Sequence, residues 1–313
     1  MMFRNTFKLL FSNANLIWKS GIYKFICVLL VSLLSLNFLS PVVEILRKET
    51  LIVEAITSFF NGFATFNSVV IAQSFNQILQ IMASDVIVAL KGNIWLVIVL
   101  LLLVLPFLIR LSNIADCEYL YGSMSSNTTY SYTNCFVRSL KKSIKLEVTR
   151  LIVTVPFSAI LFGGAFGIST LLCTSEKLSA FAPFVLTFFF VLLIAIKKSA
   201  MAGIEGAIVV KDYSTFKAYK KGLSVAKRNF GEIFLTEFVM TLLVLFINVM
   251  AASYTFGVGL IVTLPVTAVI FSILKMVAYY TSEGMDFYYE PNAVYRSKKF
   301  GEQLTIKRNK YII

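Results

Sequence analysis

Uncharged apolar runs recur along the chain at Phe25 to Val43, Gly92 to Ile109, Leu151 to Cys173 and Leu178 to Ile196. Each is near the ~20 residues a helix needs to cross a hydrocarbon core. A fifth run, Phe238 to Leu274, has 37 uncharged residues, too many for one crossing. Small, turn-tolerant residues from Ala251 to Gly257 lie at its middle, so it predicts a helical hairpin and brings the spans to six. The first run begins well inside the chain and lacks a small-x-small ending, so it reads as a retained span rather than a cleaved signal.

Between the spans the period changes, and three segments place apolar residues at alternating three- and four-residue intervals with basic residues off the stripe. The first stripe is Phe3, Phe7, Leu10, Ala14 and Ile17, and the second Val137, Leu140, Ile144, Val148 and Leu151. The third is Phe216, Tyr219, Leu223, Ala226 and Phe230. Each stripe runs into a span and is followed by two crossings. The pattern therefore predicts an all-α membrane fold: six transmembrane helices as three parallel repeats of a basic amphipathic helix plus a helical hairpin. The repeats cover 1-112, 130-197 and 212-290 of a single membrane domain. The first carries an insertion, 42-91, with Phe75, Ile78, Leu79 and Met82 at the spacing of an amphipathic helix on the outer face.

Composition agrees with lipid as the solvent, at 58% hydrophobic residues and a mean hydropathy of +0.81. The net charge of +13 gains its meaning from its distribution. Four Lys and Arg precede the first span, six lie from Arg110 to Arg150, eight from Lys197 to Arg228 and seven from Lys275 onward. Arg47, Lys48, Lys91 and Lys177 alone fall on the other side. The positive-inside bias then predicts a cell-membrane protein with both termini cytoplasmic, and argues against a nucleic-acid partner.

Candidate chemistry is sparse. Histidine is absent, which removes the commonest general base and zinc ligand, and Cys27, Cys117, Cys135 and Cys173 form no C-x-x-C pair. No catalytic set, metal site or cofactor is expected. Glu237, inside the fifth span, needs a partner or a proton, and Lys275 on the sixth reaches a similar depth if the hairpin turns near Tyr254. An ion pair between them is expected, with snorkelling of both to the headgroups as the alternative. Lys141, Lys142, Lys145, Lys217, Lys220, Lys221, Lys227 and Arg228 are the expected contacts to anionic headgroups or to a protein partner. Glu283, Asp286 and Glu290 share one face if the last helix continues to Pro291. Gly163 and Gly167 form a GxxxG, read as a packing feature, and Pro106, Pro156, Pro183 and Pro265 punctuate four spans. The sequon at Asn127 falls on the cytoplasmic side and should be silent.

The third unit runs Phe216-Lys217-Ala218-Tyr219-Lys220-Lys221-Gly222-Leu223, then Arg228-Asn229-Phe230, and later Gly257-x-Gly259-Leu260-Ile261-Val262-Thr263-Leu264-Pro265. It resembles a broad group of bacterial membrane proteins that includes the membrane-embedded domain of some glycerophosphodiester phosphodiesterases. The similarity covers about residues 212 to 290, with Asn15 to Trp18 as an upstream echo. The histidines their catalytic domain needs are absent, so the resemblance implies a fold and a location but no activity. Mitochondrial carriers also match in length and span number. Their Pro-x-acid-x-x-base signature is approached only from Pro41 to Arg47, one residue out of step, and nothing similar follows Pro156 or Pro265.

These readings lead to a non-enzymatic multi-pass protein, an accessory or scaffold whose basic interfacial helices organise lipid or a partner. The alternative is a transporter or permease component with a path near Glu237.

Overall fold

The computed structural model describes residues 2–48, 50–65, 67–81, 96, 99–126, 128–172, 181–255, 258–290 and 293–295. Lys91, Asn127, Cys173, Lys177, Gly257 and Pro291 lie outside them. Among the described residues six helices are long and apolar enough to cross a membrane, so the chain is a multi-pass membrane protein of all-α class. Helix α1 (Met2–Ser12) leads into α2 (Ala14–Lys48), whose apolar part is the first span. Between them Asn13 donates its side-chain Nδ2–H to the Leu9 carbonyl at 3.0 Å. The insertion forms two helices, α3 (Thr50–Ala64) and α4 (Ser68–Ile81), packed on each other.

A π-helical turn at Leu100–Val104 precedes α5 (Leu105–Arg110) and α6 (Ser112–Ser126), which together carry the second span. Pro106, at the start of α5, has no N–H to give and crowds the preceding turn, a recognised cause of a slipped hydrogen-bond ladder. Helix α7 (Tyr132–Leu172) joins the second basic segment to the third span without a break. Helix α8 (Ala182–Met201) is followed by α9 (Ile204–Lys211), α10 (Thr215–Arg228), α11 (Phe230–Thr255) and α12 (Leu260–Glu283). The 37-residue run is thus a hairpin that turns just beyond Thr255, as its small residues predict.

One expectation fails at the end of α12. The helix stops at Glu283 because Gly284 takes the left-handed conformation (φ 66°), with Met285 N–H donating to the Tyr280 carbonyl at 2.9 Å. Glu283, Asp286 and Glu290 therefore share no helical face. Strand β1 (Phe287–Glu290) pairs antiparallel with β2 (Ala293–Tyr295) instead, and the hairpin folds back onto α1 and α6.

The hydrophobic core lies at the basic end of the bundle, where the spans continue past the apolar runs. Ile114, Ala115, Leu120 and Met124 of α6, Ile204, Ala207 and Ile208 of α9, and Ile273 to Tyr280 of α12 are buried together, with Leu9 and Leu16 from the N-terminal segment. Two glycines permit this density: a Cβ on Gly206 would lie 2.5 Å from Tyr279 Cγ, and one on Gly222 would lie 2.5 Å from Ile204 Cγ1.

The faces by which the basic helices pack coincide only in part with their apolar stripes: Leu10 and Ala226 are buried, and Phe7, Ile17 and Tyr219 pack against the core, but other stripe residues turn outward. In α7 the buried positions are Ser139, Ser143, Leu146, Glu147 and Arg150, whereas Val137 is 68% and Val148 51% exposed. In α10 Ala218, Gly222, Val225 and Ala226 face inward and Phe216 is 84% exposed. Helix α1 buries Met2, Asn5, Thr6, Leu9 and Leu10 while Phe3 is exposed. Small and polar residues share the protein contact with Met2, Leu9, Leu10, Leu146 and Val225, while Val137, Val148 and Phe216 face outward.

Candidate functional site

Two buried carboxylates organise the basic end, and neither stands out in the sequence. Asp116 on α6 is fully buried. Lys24 Nζ lies 3.1 Å from its Oδ2, and Ser20 one turn before Lys24 donates to the same oxygen at 3.1 Å. Tyr132, which opens α7, donates to Oδ1 at 3.0 Å, and Ser272 of α12 reaches Oδ2 at 3.4 Å. One side chain thus ties α2, α6, α7 and α12. Burial, and then the Asp116 charge, push the Tyr132 phenol well above its ordinary range, so it serves as a donor here.

Glu205, in the first turn of α9, is also fully buried. Its Oε1 accepts from Arg150 Nη2 of α7 at 2.8 Å and from Lys275 Nζ of α12 at 2.6 Å. Arg150 also pairs with Glu147 one turn earlier on its own helix. Desolvation alone would lower Arg150, but Glu205 and Glu147 outweigh it and hold the guanidinium charged. Burial pushes the Glu147 carboxyl up, against the pull of Arg150 and Arg110. Removing one partner from such a set leaves a buried charge uncompensated, a loss of ~3–5 kcal/mol in comparable cases.

The structure corrects the expected Glu237 to Lys275 pair. Lys275 is engaged by Glu205, and Glu237, 1% exposed, has its Oε2 buried without a hydrogen-bond partner. Lys198, whose ammonium lies 3.0 Å from the centre of the Phe271 ring, and Lys275 are the cations whose fields act on it. Thr241 Oγ1 and Asn248 Oδ1, one and three turns along α11, are likewise buried and unpartnered, as is Thr263 Oγ1 on α12.

The eight basic residues singled out in the sequence all lie on α7 and α10. Lys141, Lys145, Lys217, Lys220 and Lys227 are exposed. Three of the set are held within the chain: Lys142 Nζ is 2.6 Å from Asp212 Oδ1, and Glu283 takes Lys221 at 2.7 Å and Arg228 at 3.1 Å. Gly163 and Gly167 have open space where a Cβ would stand, so among the described residues the GxxxG packs against no other helix. Gly164 is the one in contact, with Phe189.

The sequence reading passed over Asp116, Glu205, Lys24 and Arg150, and gave Lys275 a different carboxylate. A usable signal existed for Glu205, the only charge between Lys198 and Lys211 in a run rich in Ala, Gly, Ile and Val. Among the described residues no group of three His, Cys, Asp or Glu side chains could hold a metal. Comparison with family models, with curated proteins and with solved structures finds no match to this chain.

Proposed function

We propose that this chain is a non-enzymatic multi-pass protein of the cell membrane, with both termini cytoplasmic, acting as an accessory or scaffold that gathers anionic lipid at the inner leaflet. The observation that carries this reading is the outward turn of the amphipathic helices. Phe216 and Leu223 on α10, and Val137, Ile144 and Val148 on α7, present apolar side chains away from the protein beside exposed Lys141, Lys145, Lys217 and Lys220. An apolar face with cations at its flanks suits the boundary between acyl chains and anionic headgroups.

The test places a tryptophan at position 216, with Trp18 and Trp95 replaced by phenylalanine, in vesicles containing brominated lipid. The reading expects quenching strongest for bromines near the headgroups and stronger in anionic than in zwitterionic vesicles. A fluorescence indifferent to bromolipid would remove it.

The three-unit architecture belongs to the same proposal. Arg150 with Glu205 and Arg228 with Glu283 are ion pairs of equal sequence separation, 55 residues, and each acid is followed by glycine. In each case a base at the head of an odd span meets an acid at the end of the next even one. Lys24 with Asp116 supplies the counterpart in the first unit, lengthened by the insertion. A transporter with a path near Glu237 is the second reading, and its support is the unpartnered Glu237 Oε2. Ion or proton flux into proteoliposomes that is abolished by Glu237→Gln would favour it.

A further inference from the structure

The charges buried at the basic end do not balance. Arg110, Arg150, Lys197, Lys198 and Lys275 lie within electrostatic reach of Glu147, Glu205 and Glu237, five cations to three carboxylates. Glu205 is shared by Arg150 and Lys275, Glu147 is taken by Arg150, and Lys198 has Glu237 in its field. Arg110 and Lys197 are left over. Neither has a carboxylate within 4.0 Å among the described residues: Arg110 has Glu147 only in its longer-range field, and Lys197 is repelled by Arg110 and Arg150 more than Glu147 attracts it. Both are only partly buried, so a ligand can reach them.

Two unsatisfied groups point to the same place. Arg150 is 6% exposed, yet its Nε–H is buried and meets no acceptor at bonding geometry among the described residues, with the Tyr219 hydroxyl as its polar neighbour, and Thr154 Oγ1 one turn further is buried and unpartnered as well. Phe157, almost a turn beyond, carries the Lys197 ammonium 4.8 Å above its ring centre. Residues 150, 154 and 157 fall on one face of α7. A buried guanidinium with its Nε–H still open, beside two cations that no carboxylate contacts, is a site that can take a further anion. Its position, where the second, third and fourth spans reach the basic end, is the depth of lipid phosphates in a spanning bundle. The third span leaves the approach open, since 6% of its apolar stretch is buried.

We propose that this face of α7, flanked by Arg110 and Lys197, binds a phosphate-bearing anion, supplied by the headgroup of an anionic phospholipid. One phosphodiester oxygen accepts from Arg150 Nε and Thr154 Oγ1, and the other takes Arg110 and Lys197. The site rests on the membrane reading above but uses residues distinct from the exposed lysines of α7 and α10, so the two fail separately.

The experiment uses the full chain, delipidated in mild detergent and titrated with phosphatidylglycerol, phosphatidylcholine of the same chains, or inorganic phosphate. Bound lipid is counted by native mass spectrometry and stability followed as Tm. Phosphatidylglycerol is expected to remain bound at one copy and raise Tm while phosphatidylcholine does neither. Lys197→Met and Arg110→Gln should each weaken that binding roughly tenfold, the effect of losing one charged hydrogen bond. Without anionic lipid, Lys197→Met should leave Tm unchanged or raised because it removes a repelled cation, a reversal that a purely structural lysine would not show. Lys217→Gln with Lys220→Gln should reduce interfacial insertion and keep the tightly held lipid. Equal retention of both lipids, or a Lys197→Met variant that loses stability in every condition, would overturn the site. Protection by inorganic phosphate, with no lipid retained, would overturn the lipid source and assign the site to a soluble phosphate.

Discussion

The third and sixth spans are both apolar enough to cross a membrane, at mean hydropathies of 1.8 and 2.2, and the structure treats them oppositely. In the sixth, 44% of the apolar stretch is buried against protein, and in the third 6%. Helix α12 exposes Ile261, Val262 and Leu264 only in its first turns and closes in Val269, Ile273, Met276 and Val277, while α7 leaves Ile152, Ile160, Phe166 and Leu171 bare along the whole span. Hydropathy reports whether a helix can cross a membrane, not what covers it once there. In lipid an exposed leucine costs nothing, so the features that hold helices together are small residues, close approaches and satisfied polar groups. These concentrate at the basic end, around Asp116, Glu205 and the glycines beside Tyr279 and Ile204.

The sharpest way to break that contrast is to remove the acid that Arg150 and Lys275 share. Glu205→Ala strands Arg150 and Lys275 and should destabilise the protein by ~3–5 kcal/mol, read by reversible unfolding in detergent. A loss under 1 kcal/mol would mean that the network is ornamental. Next in size, Gly206→Ala forces a methyl into Tyr279 and should cost about 1–3 kcal/mol. Gly163→Ala, in the open stretch of the third span, should change little, and a comparable loss at both positions would remove the distinction between the regions. Phe166→Ala, at a side chain 73% exposed, should shift stability by no more than about 0.5 kcal/mol. The smallest effect belongs to Lys142→Gln, whose partner Asp212 is solvent-exposed, and unfolding in detergent should register no loss beyond that of Phe166→Ala.

The sequence made the spans legible because the signal there is local: long uncharged runs bounded by lysine and arginine. The hairpin between α11 and α12 was readable from run length and from the small residues around Ser253. Pairing was not. Lys197 and Lys198 end an apolar run, so the segment after them reads as a loop, whereas α8 continues to Met201 and α9 then places Glu205 at the centre of the charge cluster. Lys275 therefore had a closer carboxylate than Glu237, brought from a helix that depth counting along the hairpin never visits. The stop at Gly284 is a further case, since Glu283-Gly284 carries the C-cap signal that the spacing of three acids obscured. The basic stripes were visible, but which face packs depends on Ser139, Ser143, Ala218 and Gly222, residues that a search for apolar periodicity passes over.

Everything above assigns the basic end to one side of a bilayer and the insertion to the other. The direct measurement is labelling with a membrane-impermeant maleimide at Lys220→Cys and at Lys177→Cys, in intact cells and in inverted vesicles. Cys173 is replaced by alanine, and Cys27, Cys117 and Cys135 are buried. The account predicts that position 220 reacts only in inverted vesicles and position 177 only in intact cells. Modification of both from the same side, or of 220 from outside the cell, would contradict it.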